Sequence, residues 1–516
     1  MKKLNKIFTT AQIAEIDQYT IERESISSLQ LMERAATIWC EYFLKNAECG
    51  AEVIVVAGNG NNGGDGYVIA RLLKLSGKNV CVYRLKHSGG MSPDCEMNYK
   101  RWVETGGRVQ ELGQAEDFQI GPEAVIVDAL FGAGLNRKIV GVAAEIVRKI
   151  NCCRNKVYAV DLPSGLMGEN NAGNDPEAII RADCTLTFQF PKLAFMLPEN
   201  AEYVGRWHVL DIGWSEDIME QIPVSWYYTT IEDIQAVMPM PKKYAHKGTN
   251  GKGLLVAGRY GMMGGAVLAA KSALRSGIGV LHCHVPELGG EIVQITVPEA
   301  ILDMDESKFC FSAVKYLSGY DAIAVGPALG QAPETVAGLR KLLQDWRGVT
   351  ILDADALNLI AEHRQLLELL HERCILTPHI KEFERLAGKS ENDFDRLNKL
   401  SIFANQYQVH VILKGAHSVV ATPDGSLFFN MSGNPGMAKG GAGDVLTGVL
   451  LALAANKLDP LEVARIGVFA HGLAADLLVE EQGFRGISAG MIAEGMGKAW
   501  KQLEKYGLIN DGDYEN

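Results

Sequence analysis

The chain has 516 residues, too many for one hydrophobic core, so several domains are expected. Its 47% hydrophobic and 22% charged residues are those of a water-soluble globular protein. A net charge of -12 without any long Lys/Arg cluster argues against nucleic acid as a partner.

In chain order, MKKLNKIFTT carries the charge of a signal peptide, but no apolar stretch follows it. Thr9 with Gln12 fits a capping box that opens a helix. Residues from about Thr10 to Asn46 read as two helices, and LMERAATIWCEYFL has helical apolar spacing. No apolar run is long enough to span a membrane. The ten cysteines are scattered without a CxxC pair, which fits a reducing cytoplasm. Adjacent Cys152 and Cys153 read as packing.

AEVIVVAGNGNNGGDGYVIARLL then reads as strand, glycine turn and helix. The turn is not GxGxxG in the usual register, but it suits phosphate or nucleotide binding. NVCVYRL, AVIVDALFG and KVYAVDLPSG follow as strands separated by helical stretches. That alternation predicts a parallel sheet covered on both faces, with ligands at the carboxyl ends of its strands. Asn62, Asp128, Asp161 and Ser164 all follow strand-like runs. One such residue is a routine cap; several at one sheet edge make a candidate site.

After Asp211 the pattern loosens, which puts a domain boundary between roughly Trp214 and Tyr228. The domains are drawn at 1–220 and 221–516. A second α/β region opens with GKGLLVAGRYGMMGGAVLAA and ends in an acidic tail, INDGDYEN, expected to fray. Strand candidates are DAIAVGPALG, VTILDADALNLI, CILTPHIKEFERLAG and VHVILKGAHSVVATPDGSLFFN, the last with a turn at Pro423-Asp424-Gly425. GNPGMAKGGAGDVLTG then runs into an apolar helix. A glycine-rich turn at a helix N-terminus is an anion site, and Gly440, Gly441 and Gly443 allow close approach. Asp444 in the first turn is a plain cap, or else accepts a proton from an attacking hydroxyl.

Other candidates stay open at this level. Lys414 could neutralise a phosphate or be an exposed strand-end lysine. His379 could orient a substrate or cap a helix. Asp353 and Asp355 could hold Mg²⁺ or form a turn. His246-Lys247-Gly248 could reach a phosphate or cover a surface loop. No Cys/His set has zinc spacing, no GxxxxGK[ST] loop occurs, and no GxSxG elbow occurs.

With these motifs in order, nearly the whole chain resembles the bifunctional NAD(P)H-hydrate repair enzymes. NNGGDG, DALFGAGLNR and DLPSG are similar to the epimerase half. HKG, GRYGMMGGAVLAA, VGPALG, DADALN, TPHIKEF, KGAHS and NPGMAKGGAGDVLTG are similar to the ADP-dependent dehydratase half. The resemblance implies a Rossmann-like three-layer αβα domain followed by a ribokinase-like αβα domain.

It also implies roles. Asn61, Asn62, Gly63, Gly64 and Asp65, with Gly132, Ala133, Gly134, Leu135, Asn136, Arg137 and Lys138, match loops that bind the epimerase substrate. Asn62, Asp128 and Ser164 match potassium ligands. Asp161 matches the acid at the reacting ring, and Lys192 faces a substrate phosphate. Gly326, Thr377, Pro378, His379, Ile380, Lys381, Glu382, Phe383 and Asp444 match positions that bind the hydrate in the dehydratase. Lys414, Gly415, Ala416, His417 and Ser418 match the nucleotide site. Gly433, Asn434, Pro435, Gly436, Met437, Ala438, Lys439, Gly440, Gly441, Ala442 and Gly443 complete it. The chain departs from the family pattern at Ile380-Lys381 (commonly Pro-Gly), Ala328 (Gly) and Lys439 (Thr).

The implied activity is interconversion of the two epimers of hydrated NADH and NADPH (NADHX, NADPHX), then dehydration of the S form. ADP goes to AMP and phosphate, with Mg²⁺ accompanying ADP. Asp444 is the expected base, held ionised by its helix N-terminus, and Asp161 the proton-transfer group. A cytoplasmic homo-oligomer is the expectation. The alternatives are a small-molecule kinase of the ribokinase type in the C-terminal half and a non-catalytic nucleotide-binding module in the N-terminal half.

Overall fold

A computed structural model describes residues 4–47, 52–86, 89–239 and 243–504. The acidic tail expected to fray lies outside them. The chain divides into two compact units, Lys6–Val224 with Asn392–Phe394, and Ser225–Glu391 with the residues from Asp395 on.

The first unit opens with helices Thr10–Glu24 and Ser28–Asn46. Thr9 caps the first through the expected box with Gln12. Its parallel sheet has the spatial order Val109–Leu112, Val80–Leu85, Glu52–Ala57, Ala124–Ala129, Val157–Val160, Cys184–Phe188, Arg206–Leu210. Both faces are covered. Val53, Val55 and Ala57 pack with Trp39, Phe43 and Val68, while Ile54 and Val56 pack with Ile146 and Val147. Alternate side chains thus enter two different cores, so the strand reads as a continuous apolar run. The chain winds outward from Glu52–Ala57 in one direction, then resumes beside it at Ala124–Ala129. The loops after these two strands therefore part and leave a crevice.

The second unit's sheet includes, in spatial order, Trp226–Thr229, Leu427–Asn430, Val419–Ala421, His410–Leu413, Cys374–Leu376, Val349–Leu352, Ala322–Val325, Lys252–Val256, Val280–Val285 and Ile301–Met304. Among these, only Val419–Ala421 runs antiparallel to its neighbours, and the Pro423-Asp424-Gly425 turn joins it to Leu427–Asn430. Helices Gly264–Arg275 and Ala442–Ala455 pack closely. The Ser272 hydroxyl donates to the Val445 carbonyl at 2.8 Å, and Gly448 lies against Ala269. A Cβ on Gly448 would sit 2.0 Å from the Ala269 carbonyl oxygen and 2.1 Å from Ser272 Oγ. Only glycine lets the helices meet this closely, and their N-termini meet at the candidate site.

Gly448→Ala is expected to destabilise the second unit by about 2–4 kcal/mol, since the obstacle is backbone that cannot swing aside. Thermal unfolding measures this, and a melting temperature equal to that of the wild type would contradict it.

Candidate functional site

The first candidate site occupies the crevice of the first unit. Helix Asn61–Leu75 starts at Gly60 without a side-chain cap, so its first N–H groups are free. Gly58 is tight: a Cβ there would lie 1.9 Å from the Leu130 carbonyl oxygen. This closeness brings the 58–65 and 130–135 loops together. Asn62 is buried beside Gly132, and its Nδ2 has no partner. Asp128 is fully buried. Its Oδ1 accepts from Ser164 Oγ at 2.6 Å and its Oδ2 from Ser164 N at 2.7 Å. Ser164 Oγ also contacts the Phe131 carbonyl at 3.1 Å. Burial pushes the Asp128 carboxyl up to about 6, against the pull of the Ser164 hydrogen bonds. The Asp128 carboxylate, the Ser164 hydroxyl and the Phe131 carbonyl bring hard oxygen atoms together, groups that could hold a cation, and Asn62 could join them only through its amide oxygen because the orphaned Nδ2 is an N–H donor.

Asp161 follows strand Val157–Val160 in the left-handed region, at φ 64°. A non-glycine residue there is strained, which marks a position fixed by its surroundings. Asp161 Oδ1 accepts from Lys192 Nζ at 2.5 Å, Thr187 Oγ1 at 3.0 Å and Phe188 N at 3.1 Å. Oδ2 has no such partner among the described residues. Lys192, expected near a substrate phosphate, borders the crevice, but its ammonium is engaged by the protein. It is buried, and its ammonium is spent on Asp161, Thr187 and the carbonyls of Phe188 and Phe190.

Asp161 lines a cavity of about 780 Å³ with Asn61, Asn62, Asp65 and the 132–137 loop. Gly63, Gly64 and Lys138 do not line it; the two glycines are buried. Arg137 is exposed on that loop. Two further acids line the wall, Asp17 and Asp94. Burial, then the charges of Asp161, Asp17 and Asp94, push Asp65 well above the usual carboxylate range. Asp17 was not anticipated. Yet it stands four residues from both Ile13 and Ile21, a carboxyl on the apolar stripe of a helix, and that signal was readable.

The second candidate site lies where five parallel strands of the second unit end: Lys252–Val256, Ala322–Val325, Val349–Leu352, Cys374–Leu376 and His410–Leu413. Gly326 has φ 137°, and a Cβ there would lie 1.8 Å from the Asp353 carbonyl oxygen. Asp353 is buried at 1% exposure. Its Oδ1 accepts from Lys414 Nζ and its Oδ2 from Thr447 Oγ1, both at 2.8 Å. Burial pushes Asp353 up, but Lys414 outweighs it and holds the carboxyl below its usual range. Burial likewise opposes the Lys414 charge, while Asp353 and Glu382 keep its pKa above the ordinary value. Asp355 accepts from Gly330 N and Asn358 Nδ2. Both carboxylates of the Asp353–Asp355 pair thus already accept hydrogen bonds within the protein. Among the described residues no cluster of His, Cys, Asp or Glu could hold a metal ion.

Asp444 is the third residue of helix Ala442–Ala455, whose cap is Gly441 at φ 94°, with no side-chain bond. Its carboxylate accepts no hydrogen bond among the described residues. It lies over Gly265 at the start of helix Gly264–Arg275, where a Cβ would approach Asp444 Oδ2 to 3.1 Å. The helix N-terminus does not hold the Asp444 carboxyl low, although a group titrating near 6 stays largely ionised at neutral pH. Burial and the Asp353 charge push its carboxyl up to about 6, against the pull of Lys414. Desolvation acts on the whole charge, whereas the helix end supplies only a partial one.

The remaining expectations sort by burial. His379 caps helix Ile380–Ala387: its Nδ1 accepts from Lys381 N and Glu382 N, and Glu382 returns a bond to His379 N. Ile380 and Lys381, the departures from the usual Pro-Gly, simply begin that helix. Phe383 is fully buried against Phe403, and Thr377 and Pro378 are buried too, so this segment reaches the surface chiefly at His379 and Lys381. Gly415 and Ala416 are exposed, and Ser418 Oγ closes their turn onto Gly415. The His417 ring meets the Asn430 carbonyl at 3.1 Å. Gly433 N and Asn434 Nδ2 are both held by Asp476, each at 2.8 Å. Pro435, Gly436 and Met437 form a short 3₁₀ turn ending at Ala438. Lys439 does not point its ammonium into the anion loop. It binds the carbonyls of Arg485 and Ile487. Gly440 is open on the side where a Cβ would stand. Asp476 was missed; an isolated acid in the apolar helix Pro460–Gly486 was its only trace.

The raised Asp444 carboxyl has a stability consequence. The unfolded chain loses this proton near pH 4 and the folded chain near 6. Stability therefore falls as pH rises between those values and stays lower above them. Asp444→Asn should stabilise the protein by about 1–3 kcal/mol at pH 7.5 and by almost nothing at pH 4. Denaturant titrations at both pH values measure this; an equal effect at each would refute it.

Comparison with known proteins gives the family. A family model described as NAD(P)H-hydrate dehydratase matches residues 253–496, and one described as YjeF-related protein N-terminus matches residues 28–194. A bifunctional NAD(P)H-hydrate repair enzyme of Moorella thermoacetica is 32% identical over 517 residues, covering 97% of each chain. One of Thermofilum pendens is 33% identical over 516 residues, again covering 97% of each. A crystal structure of the ADP/ATP-dependent NAD(P)H-hydrate dehydratase of Bacillus subtilis, co-crystallised with ATP/Mg²⁺, is 31% identical. It covers 53% of this chain and 98% of its own, with a TM-score of 0.47. Two domain matches in order, with full-length relatives above 30% identity, make this chain a member of the bifunctional NAD(P)H-hydrate repair enzymes.

Proposed function

We propose that the first unit interconverts the epimers of NADHX and NADPHX, and that the second dehydrates the S epimer at the expense of ADP. The observation that carries the second half is the Asp444 carboxylate, unpartnered and lying between two helix N-termini beside the Lys414–Asp353 pair.

Hydration of the reduced nicotinamide ring leaves a hydroxyl at C6, and hydroxide is a poor leaving group. Phosphoryl transfer from ADP to that hydroxyl releases AMP and creates a phosphate ester. The ring nitrogen lone pair then expels orthophosphate, and loss of a C5 proton restores the double bond. Asp444 orients the hydroxyl and takes its proton. A carboxyl that titrates near 6 is a better base at neutral pH than an ordinary aspartate. The open Gly440–Gly443 backbone receives phosphate oxygens at a helix start. Mg²⁺ would arrive on the nucleotide, where it offsets phosphate charge.

In the first unit, Asp161 stands at the reacting ring, held in place by Lys192 and offering its free Oδ2. Asn62, Asp128 and Ser164 would hold potassium, whose charge would favour ionised Asp128 and tie together the loops around the ring. The nine described cysteines are free thiols, which supports a cytoplasmic enzyme. No described helix is long and apolar enough to cross a membrane.

A mixture of epimers with ADP tests the division of labour. Wild type should consume both. Asp161→Asn should consume the S form at the normal rate and then stall at the pace of spontaneous epimerisation, and removing potassium should give the same trace. Asp444→Asn should equilibrate the epimers yet lose at least ~100-fold in NADH formation. Chromatography that resolves the epimers reads every case. Full clearance of both epimers by the Asp161 variant at the wild-type rate would refute the division. Faster turnover with ATP than with ADP would overturn the choice of donor.

A further inference from the structure

Moving the hydroxyl from one face of C6 to the other leaves the proton count unchanged. Whichever bond breaks first, one proton must be given and one taken. If water leaves, the departing oxygen needs a proton and the incoming water must lose one. If the ring opens, the hydroxyl loses a proton and the ring nitrogen gains one. The two proton transfers occur at different places, on opposite faces of the ring if water leaves, so a donor and an acceptor set apart would serve the reaction better than one group alone.

Asp161 can be only one of them. Its pairing with Lys192 makes it the carboxylate, with Oδ2 free to accept. Lys192 also lines the cavity, but its ammonium is buried and bonded to four oxygens of the protein, which suits it to hold Asp161 in place rather than to donate. Arg137 stays a cation at working pH. That leaves Asp17, Asp65 and Asp94 on the cavity wall.

Asp17 fits best. Helix Thr10–Glu24 turns Ile13, Asp17 and Ile21 along one stripe, and all three line the cavity. Its carboxyl makes no hydrogen bond or ion pair among the described residues. An unpartnered acid on an apolar stripe serves no packing purpose that leucine would not serve better. The charges that act on it are those of both members of the Asp161–Lys192 pair, whereas Asp65 feels only other acids. Burial, then Asp161, push the Asp17 carboxyl up to about 7, against the pull of Lys192, so it can release and regain a proton near neutral pH. Burial and the neighbouring acids push Asp65 well above the usual carboxylate range too, which suits a hydrogen-bond donor.

We propose that Asp17 is the second acid–base group of the epimerase cavity, the proton donor to the C6 oxygen while Asp161 acts as base. The proposal rests on the reading of this cavity as the epimerase site. Neutral Asp17 gives its proton to the C6 hydroxyl. The C6–O bond breaks with its electron pair going to oxygen, water leaves, and the ring nitrogen lone pair forms the C6=N1 iminium. Water then adds to the other face of C6, the C=N pair returns to nitrogen, and the proton of that water passes to Asp161. Return of this proton to Asp17 through cavity water closes the cycle.

Epimer interconversion measured without ADP, so that nothing is consumed, tests this in the full-length protein. Asp17→Asn should lower kcat at least ~100-fold and change KM by less than about threefold. Wild type should lose rate as pH rises through about 7, where Asp17 gives up its proton, and the residual activity of the variant should lack that limb. Dehydration of the S epimer with ADP should be unchanged, which reports a folded chain. Should that activity also fall, Asp17→Glu decides: a restored kcat with an alkaline limb supports the proposal, and its absence refutes it. A near-normal kcat in Asp17→Asn, a loss confined to KM, or an unchanged alkaline limb overturns it. If Asp161→Asn silences interconversion while Asp17→Asn does not, the proposal alone fails. If wild type does not interconvert the epimers, the reading of the cavity fails first.

Discussion

A parallel strand buried on both faces can keep a polar side chain only where that side chain finds a partner, as Asp128 does in Ser164. Residues 53–57 alternate between two apolar cores, and the corresponding strands of the second unit are as fully enclosed. Chemistry is thereby driven to the carboxyl ends, where loops splay and helix N-termini offer unpaired N–H groups. Asp161, Asp353 and Lys414 each follow the last residue of such a strand. Both units obey the constraint separately, and each gathers its charges at one edge.

The two edges share an electrostatic plan. In each, a buried lysine–carboxylate pair sits beside a second carboxyl without any partner: Asp161–Lys192 beside Asp17, and Asp353–Lys414 beside Asp444. In the second unit the paired acid, Asp353, is held below its usual range against burial by Lys414 and its hydrogen bonds. The unpaired acid feels that same burial plus a neighbouring negative charge, so its proton affinity rises towards neutrality. A pair of acids with separated proton affinities is what acid–base chemistry at neutral pH requires.

Strand ends and glycine loops were legible in the sequence because they depend on local signals. The β-branched runs, NNGGDG and the AKGGAGD turn mark where the backbone must bend or approach closely. Partners chosen by tertiary packing were not legible. Lys192 and Lys439 look like phosphate ligands in isolation, yet one is spent on Asp161 and the other on the carbonyls of Arg485 and Ile487. Phe383 lies inside a motif matched to the substrate but serves the core. Asp476 reaches back over more than 40 residues to hold Gly433 and Asn434, and nothing local to the loop names it. The upward shift of the Asp444 carboxyl was not legible because burial depth, which outweighs the helix end, is not a property of sequence.

Backbone strain gathers at the same edges. Asp161 (φ 64°), Ala328 (φ 52°) and Ala354 (φ 47°) all adopt left-handed backbone one to three residues beyond a strand. Each costs roughly 1–3 kcal/mol against an ordinary conformation. Ala328 shows how the strain is held. Gly326, two residues earlier, is pressed onto the Asp353 carbonyl, and Leu329 N bonds back to Gly326 O. The turn is fixed at both ends, so the intervening residue takes the conformation whether or not it is glycine. The alanine therefore changes the stability of the turn without changing its path, and the loop beside Asp353 keeps its shape. The same reasoning separates the two kinds of departure from the family pattern. A changed side chain matters most at these edges when it alters a charge, and Ala328 alters none.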